Sequence, residues 1–283
     1  MPATREDIVG ANGRDLSLLA QACREQVERF PPGNDSGVLG IGYGWIARRN
    51  AWTGDFGVVF LSLAGQPGVA DEAVRVGAGV DVACCCFPIE PFALQPPPPP
   101  AGADALPLRV GSPIRSSVAA GGVGALIGRR ALSAAHVFGA EDTAFSAGGL
   151  TAGSAVHIDR RVDAALLQVN PAIALAGLTP DGTAVTGIRD PIEEDFDRPG
   201  LLYSPWRGRT FKPYLLAGNL TLYFPREGIF TGMLMTESCT VRGDSGTALL
   251  GIDGAVLGLL SHGGPQFSFF TSITAIRKLT GWF

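Results

Sequence analysis

The chain has 283 residues, enough for one large domain or two small ones with a substantial core. Its 22 Lys and Arg residues and 26 Asp and Glu residues are spread along the chain and give a net charge of −4, so no basic stripe is present and nucleic acid is disfavoured as a partner. The 39 glycines and 21 prolines separate short apolar runs, a pattern typical of many short strands joined by tight turns.

The apolar runs are of strand length, well below the ~18 residues needed to cross a membrane. The first residues, MPATREDIVG, include charged side chains where a secretory signal would have an apolar stretch. Five cysteines, three of them adjacent (Cys84, Cys85 and Cys86), make an odd number without paired spacing, which argues against a disulfide framework. We therefore expect a cytoplasmic protein with no membrane span.

The N-terminal part has the pattern of a small α+β domain. Apolar residues recur at steps of three and four over 15–30, which predicts a helix. Strands are predicted at 37–49, 56–64 and 79–87. We expect the three adjacent cysteines to pack in a strand, because neighbouring strand residues point to opposite faces and cannot easily surround a metal ion. The glycine-rich 40–44 is interpreted as a strand, since no helix follows it as a nucleotide loop would require.

A proline-rich segment, 95–107, divides this domain (1–94) from the rest of the chain. Its five consecutive prolines favour an extended spacer without internal hydrogen bonds. From 108 to 283 the chain is a series of strand-length apolar runs, closed by a helical stretch at 274–283.

Three segments of this second part carry candidate chemistry: a histidine ending SAAH (His136), an aspartate before an apolar run (Asp163), and GDSG at 243–246. A hydroxyl nucleophile such as Ser245 needs a base, and the base needs a carboxylate to fix its tautomer. Taken singly, such a histidine is more often structural, and GDSG fits an ordinary turn. Their occurrence together, in this order on a strand-rich background, favours an acyl-transfer site.

These residues resemble a trypsin-like (chymotrypsin-fold) serine peptidase domain. The resemblance rests on ALIGRRALSAAHV (125–137), DRRVDAALLQV (159–169), GDSG (243–246) and FFTSITAIRKLTGWF (269–283), and spans about 60% of the chain. It implies a mainly β fold, with two six-stranded β-barrels and the site between them. It assigns His136 as general base, Asp163 as orienting carboxylate and Ser245 as nucleophile. The N-terminal domain weakly resembles the small α+β unit that precedes such domains in some bacterial and plant intracellular proteins.

The same resemblance implies an oxyanion hole made by the backbone N–H groups of Gly243 and Ser245, with no cofactor and no metal. Asp159 is the alternative carboxylate, because it is four residues from Asp163, but the apolar run after Asp163 fits the family better. In secreted relatives a newly cut N-terminus pairs with the aspartate of GDSG. Here we expect Asp244 to have an internal partner instead.

A specificity pocket is implied at Cys239, Ser261, Gly263 and Ser268. Cys239, at the floor, supplies no carboxylate for a Lys or Arg side chain, so we expect a small or medium neutral residue before the scissile bond. His262 beside the pocket is interpreted as a wall or surface residue, with a bias toward acidic groups as the alternative.

The sequence thus predicts a serine endopeptidase acting on protein or peptide substrates. Two alternatives stay open. One is a protease-fold binding or regulatory module, in which a partner binds residues 1–95 and the triad is unused. The other is a protease that stays latent until a partner opens its cleft.

Overall fold

The computed structural model describes residues 15–33, 37–48, 51–63, 74–76, 80–89, 107–147, 149–225 and 227–283. Its contacts divide into two compact units. Unit 1 is Met1–Pro91 with Leu216–Met235, and unit 2 is Phe92–Leu215 with Thr236–Phe283. In the parts of the chain so described, no helix is long and apolar enough to span a membrane.

The elements before the proline-rich segment are α1 (Leu16–Arg29), β1 (Val38–Arg48), β2 (Ala51–Leu63), β3 (Val74–Val76), β4 (Val80–Val82) and β5 (Cys84–Ile89). The next are β6 (Leu108–Arg109), β7 (Pro113–Arg115), β8 (Ala120–Gly122), β9 (Ala125–Ile127), β10 (Arg130–Ser133), the 3₁₀ helix η1 (Ala135–Val137), β11 (Ala144–Ala147), β12 (Leu150–Asp159) and β13 (Ala164–Val169). The last are β14 (Leu175–Ala176), β15 (Gly187–Ile188), α2 (Glu193–Asp197), β16 (Leu202–Ser204), β17 (Arg209–Phe211), β18 (Leu215–Phe224), β19 (Gly228–Glu237), β20 (Ala248–Leu250), β21 (Ala255–Gly263), β22 (Phe267–Ser272) and α3 (Ile273–Thr280).

Helix α1 of unit 1 confirms the predicted N-terminal helix. The Asp15 carboxylate caps it by accepting hydrogen bonds from the backbone N–H groups of Ser17 and Leu18, both at 3.0 Å. Its buried face carries Leu19 and Cys23. The helix ends at Arg29, two residues before a proline, as the lack of a proline N–H favours.

The sheet of unit 1 has the strand order β19-β18-β1-β2-β5. The glycine-rich segment forms β1, and β2 and β5 are parallel, with Val58 opposite Cys84. Cys84 and Cys85 are buried, while the Cys86 thiol donates to Ser62 Oγ at 3.2 Å. All five cysteines of the chain lie in the described residues, and none of them forms a disulfide bond.

The hairpin β18–β19 belongs to unit 1 although it follows residue 108. Strand β18 pairs antiparallel with β1, with Gly40 opposite Leu222 and Gly44 opposite Ala217. The sequence did not indicate this long-range pairing. The predicted linker lies outside the described residues except for Pro107, and the boundaries 1–94, 95–107 and 108–283 stay predictions.

The first sheet of unit 2 has the order β8-β7-β11-β12-β13-β10-β9. Its two end strands, β8 and β9, are separated in the chain by only Val123 and Gly124, so the sheet curls back on itself. Strands β8 and β9 are therefore the two halves of one bent strand, and the seven segments correspond to six strands of a barrel. Its interior is apolar and includes Phe138 and Phe145, whose rings meet edge to face at 6.4 Å.

The second part of unit 2 is built around β21, which pairs antiparallel with β20 and β22 and parallel with β15. The predicted C-terminal helix is confirmed as α3. Ser272 caps it by accepting from the N–H of Ala275, and Gly281, at φ +66°, ends it. A core that includes Leu250, Leu259 and Ile276 fills the space beneath these elements.

Candidate active site

His136 lies in η1, directly after β10, and the residues before it are small. Ser133, Ala134 and Ala135 are buried, and Ser133 Oγ donates to the carbonyl oxygen of Gly122 at 2.8 Å. The His136 side chain itself is 40% exposed. The segment is therefore fixed by close packing, while the imidazole stays open to an incoming group.

Asp163 is at the turn between β12 and β13 and is almost completely buried. Its Oδ1 accepts from the backbone N–H of His136 at 3.0 Å. Its Oδ2 accepts from His136 Nδ1 at 2.8 Å and from Ser261 Oγ at 2.7 Å. Burial alone would raise the pKa of Asp163, but the charge of His136 and the hydrogen bonds from His136 and Ser261 outweigh it. The pKa therefore lies below its usual value, and the side chain is a carboxylate at neutral pH.

Ser245 completes the arrangement: its Oγ lies 2.7 Å from His136 Nε2. Because the Asp163 carboxylate can only accept, Nδ1 of the neutral ring carries the proton and Nε2 accepts from the serine hydroxyl. An added Cβ on Gly246 would lie 2.3 Å from Ser133 Oγ and 2.5 Å from the nitrogen of Ala134. Only glycine lets this turn approach the histidine segment so closely.

The structure brings the predicted His136, Asp163 and Ser245 together, and it does not bring Asp159 to them. The Asp159 carboxylate instead accepts from Arg161, from its backbone N–H at 2.9 Å and from Nε at 3.0 Å. The side-chain hydrogen bond of Arg161 is the main reason why the pKa of Asp159 is lowered. Asp159 thus orders the turn that leads to Asp163.

The predicted anion-binding amides belong to Gly243 and Ser245. Within the described residues, neither N–H group has a hydrogen-bond acceptor, so both are available to a ligand. Gly243 adopts φ +99°, and an added Cβ there would lie 2.5 Å from Nε1 of the Trp206 indole. Both the backbone conformation and the packing therefore require glycine at this position.

Asp244, the residue between Gly243 and Ser245 in the sequence, is fully buried and forms hydrogen bonds within the protein. Its Oδ1 accepts from Ser204 Oγ at 2.6 Å and its Oδ2 accepts from the N–H of Val241 at 3.0 Å. Burial raises the pKa of Asp244. The hydrogen bonds from Ser204, Val241 and Trp206 and the charge of Arg207 oppose this effect only in part. The sequence predicted an internal partner, but no motif identified Ser204.

The four predicted pocket residues lie in one region of unit 2. Gly263 and Ser268 are opposite each other on β21 and β22, and Ser268 Oγ accepts from the N–H of Cys239 at 3.3 Å. Ser261 lies on the same strand as Gly263, but its hydroxyl is directed to Asp163. Burial raises the pKa of the Cys239 thiol, so this residue is uncharged at neutral pH.

The sequence missed Thr240 and Trp206. Thr240 Oγ1 is 2.8 Å from Ser268 Oγ and would lie 2.7 Å from an added Cβ on Gly263. Trp206 covers one side of Gly243, and among the described residues its Nε1 is the one buried side-chain nitrogen or oxygen atom without a hydrogen-bond partner. Neither residue belongs to a motif. In the described residues, no group of three or more His, Cys, Asp or Glu side chains is placed to hold a metal ion.

Many solved structures resemble the chain, among them the following three. Thermobifida fusca Protease A has 20% sequence identity and a TM-score of 0.50, and the match covers 61% of this chain and 96% of that one. Cellulomonas bogoriensis chymotrypsin has 18% identity and a TM-score of 0.51, and the match covers 62% of this chain and 97% of that one. A glutamic acid-specific serine protease that uses a histidine triad in substrate binding has 18% identity and a TM-score of 0.51, and the match covers 62% of this chain and 98% of that one. This chain has the trypsin-like serine peptidase fold. No family model matches its sequence, and no curated protein does. The trypsin-like resemblance seen in the four motifs and the chymotrypsin-like fold class are thereby confirmed, and at such low identity the likeness concerns the fold alone.

The raised pKa of Asp244 predicts a specific pH dependence of stability. The folded chain binds a proton at this carboxyl more tightly than the unfolded chain, whose pKa is about 3.9. The stability that this group contributes is complete below the unfolded pKa and is lost as the pH rises through the folded pKa. Replacing Asp244 by Asn removes that loss. The free energy of unfolding of Asp244→Asn minus that of the parent should therefore increase with pH from pH 4 to 7.

Urea unfolding at several pH values measures this difference. Asp142→Asn, the same change at an exposed position, is the matched control for the substitution itself. A flat or decreasing difference for Asp244→Asn would contradict the interpretation.

Proposed function

We propose that the chain is a serine endopeptidase that hydrolyses peptide bonds through an acyl-enzyme on Ser245. The observation that carries the proposal is the unbroken hydrogen-bond series from Asp163 through His136 to Ser245, at 2.8 and 2.7 Å. Next to it are the backbone N–H groups of Gly243 and Ser245, which have no acceptor among the described residues. A hydroxyl with an aligned base and an adjacent anion-binding site is the arrangement that acyl transfer needs.

In the proposed acylation step, Ser245 Oγ forms a bond to the carbonyl carbon of the substrate while His136 Nε2 takes the hydroxyl proton. The carbonyl oxygen becomes an oxyanion that the N–H groups of Gly243 and Ser245 stabilise. Asp163 stays ionised and stabilises the imidazolium. The C–N bond then breaks, and His136 gives its proton to the amine that leaves.

Deacylation repeats these steps with water as the nucleophile. His136 takes a proton from the water, and the oxygen of the water forms a bond to the acyl carbon. The bond from that carbon to Ser245 Oγ breaks, and the proton returns from His136 to the serine. The side chains are then in their initial state, and no cofactor is required by this sequence of steps.

We further propose that the residue before the scissile bond is small or medium-sized and neutral. Cys239 offers an uncharged thiol, and Thr240 and Ser268 offer hydroxyl groups already bonded to each other. None of these compensates the charge of a Lys or Arg side chain, whose desolvation is costly without a partner. His262 Nδ1 lies 2.8 Å from Ser261 Oγ. This contact favours the interpretation that His262 forms part of the pocket wall over the interpretation that it binds acidic side chains directly.

Labelling by a fluorophosphonate probe tests the proposed nucleophile. We expect the full chain to be labelled once, and Ser245→Ala not at all, because His136 Nε2 lies 2.7 Å from Ser245 Oγ and can take its proton. The hydroxyl of Ser261, by contrast, is buried and donates to Asp163. Ser117→Ala, at an exposed serine, should be labelled like the parent. A folded protein that is neither labelled nor able to cut peptides would support the alternative of a binding module, whereas labelling that appears only with a partner bound would indicate a latent enzyme.

The two neighbouring aspartates provide a matched pair for the role of the carboxylate. Asp163→Asn should lower kcat by roughly 10⁴-fold, because the amide favours the wrong imidazole tautomer and does not stabilise the imidazolium. Asp159→Asn should keep kcat within a few fold of the parent, since Asp159 binds Arg161 and not His136. Peptide hydrolysis measured for both variants decides the assignment, and equal losses would count against Asp163.

A peptide series that differs only in the residue before the scissile bond tests the pocket. We expect kcat/KM to be highest for Ala, Val or Leu and lower by at least about 100-fold for Lys or Arg, since several kcal/mol of desolvation are uncompensated. A peptide with Glu before the scissile bond tests the alternative that His262 favours acidic side chains. A preference for Glu over Leu would overturn the neutral-pocket proposal.

A further inference from the structure

A second histidine is connected to the candidate triad. His262 follows Ser261 on β21, and its Nδ1 lies 2.8 Å from Ser261 Oγ. The same hydroxyl oxygen lies 2.7 Å from Asp163 Oδ2, and that carboxylate oxygen lies 2.8 Å from His136 Nδ1. Two imidazole rings are thus joined to one carboxylate oxygen, one directly and the other through a single hydroxyl group.

The number of protons fixes the direction of each hydrogen bond. The Asp163 carboxylate has no proton to give, so the hydroxyl of Ser261 must donate to it. This hydroxyl has only one proton, and Ser261 Oγ can therefore only accept from His262. Consequently Nδ1 of His262 carries a proton in both the neutral and the cationic ring, and it is Nε2 that gains or loses one.

We propose that His262 is a positioning residue of the triad that acts through Ser261. In its neutral form it holds the Ser261 hydroxyl in the orientation that donates to Asp163. In its cationic form it competes with His136 for the same negative charge, so that protonation of either histidine weakens proton binding at the other. The consequence for turnover rests on the proposed peptidase function, whereas the coupling of the two rings does not.

Among the described residues, Asp163 is the charged group that hydrogen bonds connect to His262, through the Ser261 hydroxyl. The paired strand β22, with Phe269 opposite His262, carries no charged side chain, and neither does β20. The segment packed on Gly263 through Thr240 contributes Arg242, which is exposed. The turn before β13 contributes Asp163, with His136 beyond it. The charge of His262 is one of the influences that lower the pKa of Asp163, after the larger ones from His136 and Ser261.

The chain has only three histidines, so NMR titration can follow each imidazole in the full-length protein. We expect His262→Asn to raise the proton affinity of His136 by about tenfold, and His136→Gln to raise that of His262 by the same factor, because coupling between two sites is reciprocal. His157→Gln is the control. His157 lies beside Glu141 and stacks on Trp282, and its replacement should change neither titration.

The rate of peptide hydrolysis tests the role of neutral His262 as a donor to Ser261. The amide nitrogen of Asn can take the place of Nδ1 as a donor to Ser261, so His262→Asn should retain a higher kcat at pH 9 than His262→Leu. The acid limb of kcat/KM for His262→Asn should move to higher pH by about one unit, because loss of the second ring raises the proton affinity of His136. His262→Leu offers no donor to Ser261 and should lower kcat at pH 9 several-fold.

Independent titration of His136 and His262, with midpoints unaffected by loss of the other ring, would overturn the proposal. The same holds if Asn and Leu at 262 behave identically at every pH. Because the NMR measurement needs no turnover, a chain without peptidase activity would still reveal the coupling, and an active enzyme without coupling would refute only this inference.

Discussion

The buried negative charge of Asp163 is the constraint on which the candidate site depends. A carboxylate removed from water is costly unless several donors compensate it, and here the donors come from the backbone and ring of His136 and from Ser261. These residues belong to η1 and to β21, which are far apart in the chain. The hydrogen bonds that compensate this one charge therefore hold together η1, the start of β13 and strand β21. Loss of a single donor would leave part of that charge unpaired inside the protein.

Close packing of small residues provides the second condition, since the hydrogen bond between Ser245 and His136 requires two turns to approach each other. Gly246 lies on Ser133 and Ala134, where any Cβ would be within 2.5 Å of backbone nitrogen. On the other side, the N–H of Gly122 donates to the carbonyl oxygen of Ser245 at 2.8 Å. The short side chains in SAAH and the glycines in GDSG thus have a steric reason to occur together, apart from any chemical role.

The sequence predicted the features that depend on residues close together in the chain. Helix α1 follows from the spacing of its apolar residues, and the three motif segments follow from residue types that acyl transfer requires. The pairing of β1 with β18 was not predictable, because a glycine-rich strand does not specify which distant strand it joins. Ser204 and Trp206 were missed for a similar reason. Their partners, Asp244 and Gly243, are about 40 residues away, and nothing near 204–206 marks them.

The two buried aspartates show how surroundings divide one residue type into two functions. Asp163 faces an imidazole that can carry a positive charge, and this interaction with its hydrogen bonds lowers the pKa despite burial. Asp244 accepts hydrogen bonds from a serine hydroxyl and from backbone N–H groups, and the charge of Arg207 also acts on it, but together these do not balance the burial, and its pKa is raised. A carboxylate that must offset a developing imidazolium has to be ionised at neutral pH, whereas one that only shapes a turn does not. Asp163 therefore has the electrostatic environment that the proposed chemistry demands, and Asp244, although adjacent to Ser245 in sequence, has the environment of a structural group that orders the anion-binding turn.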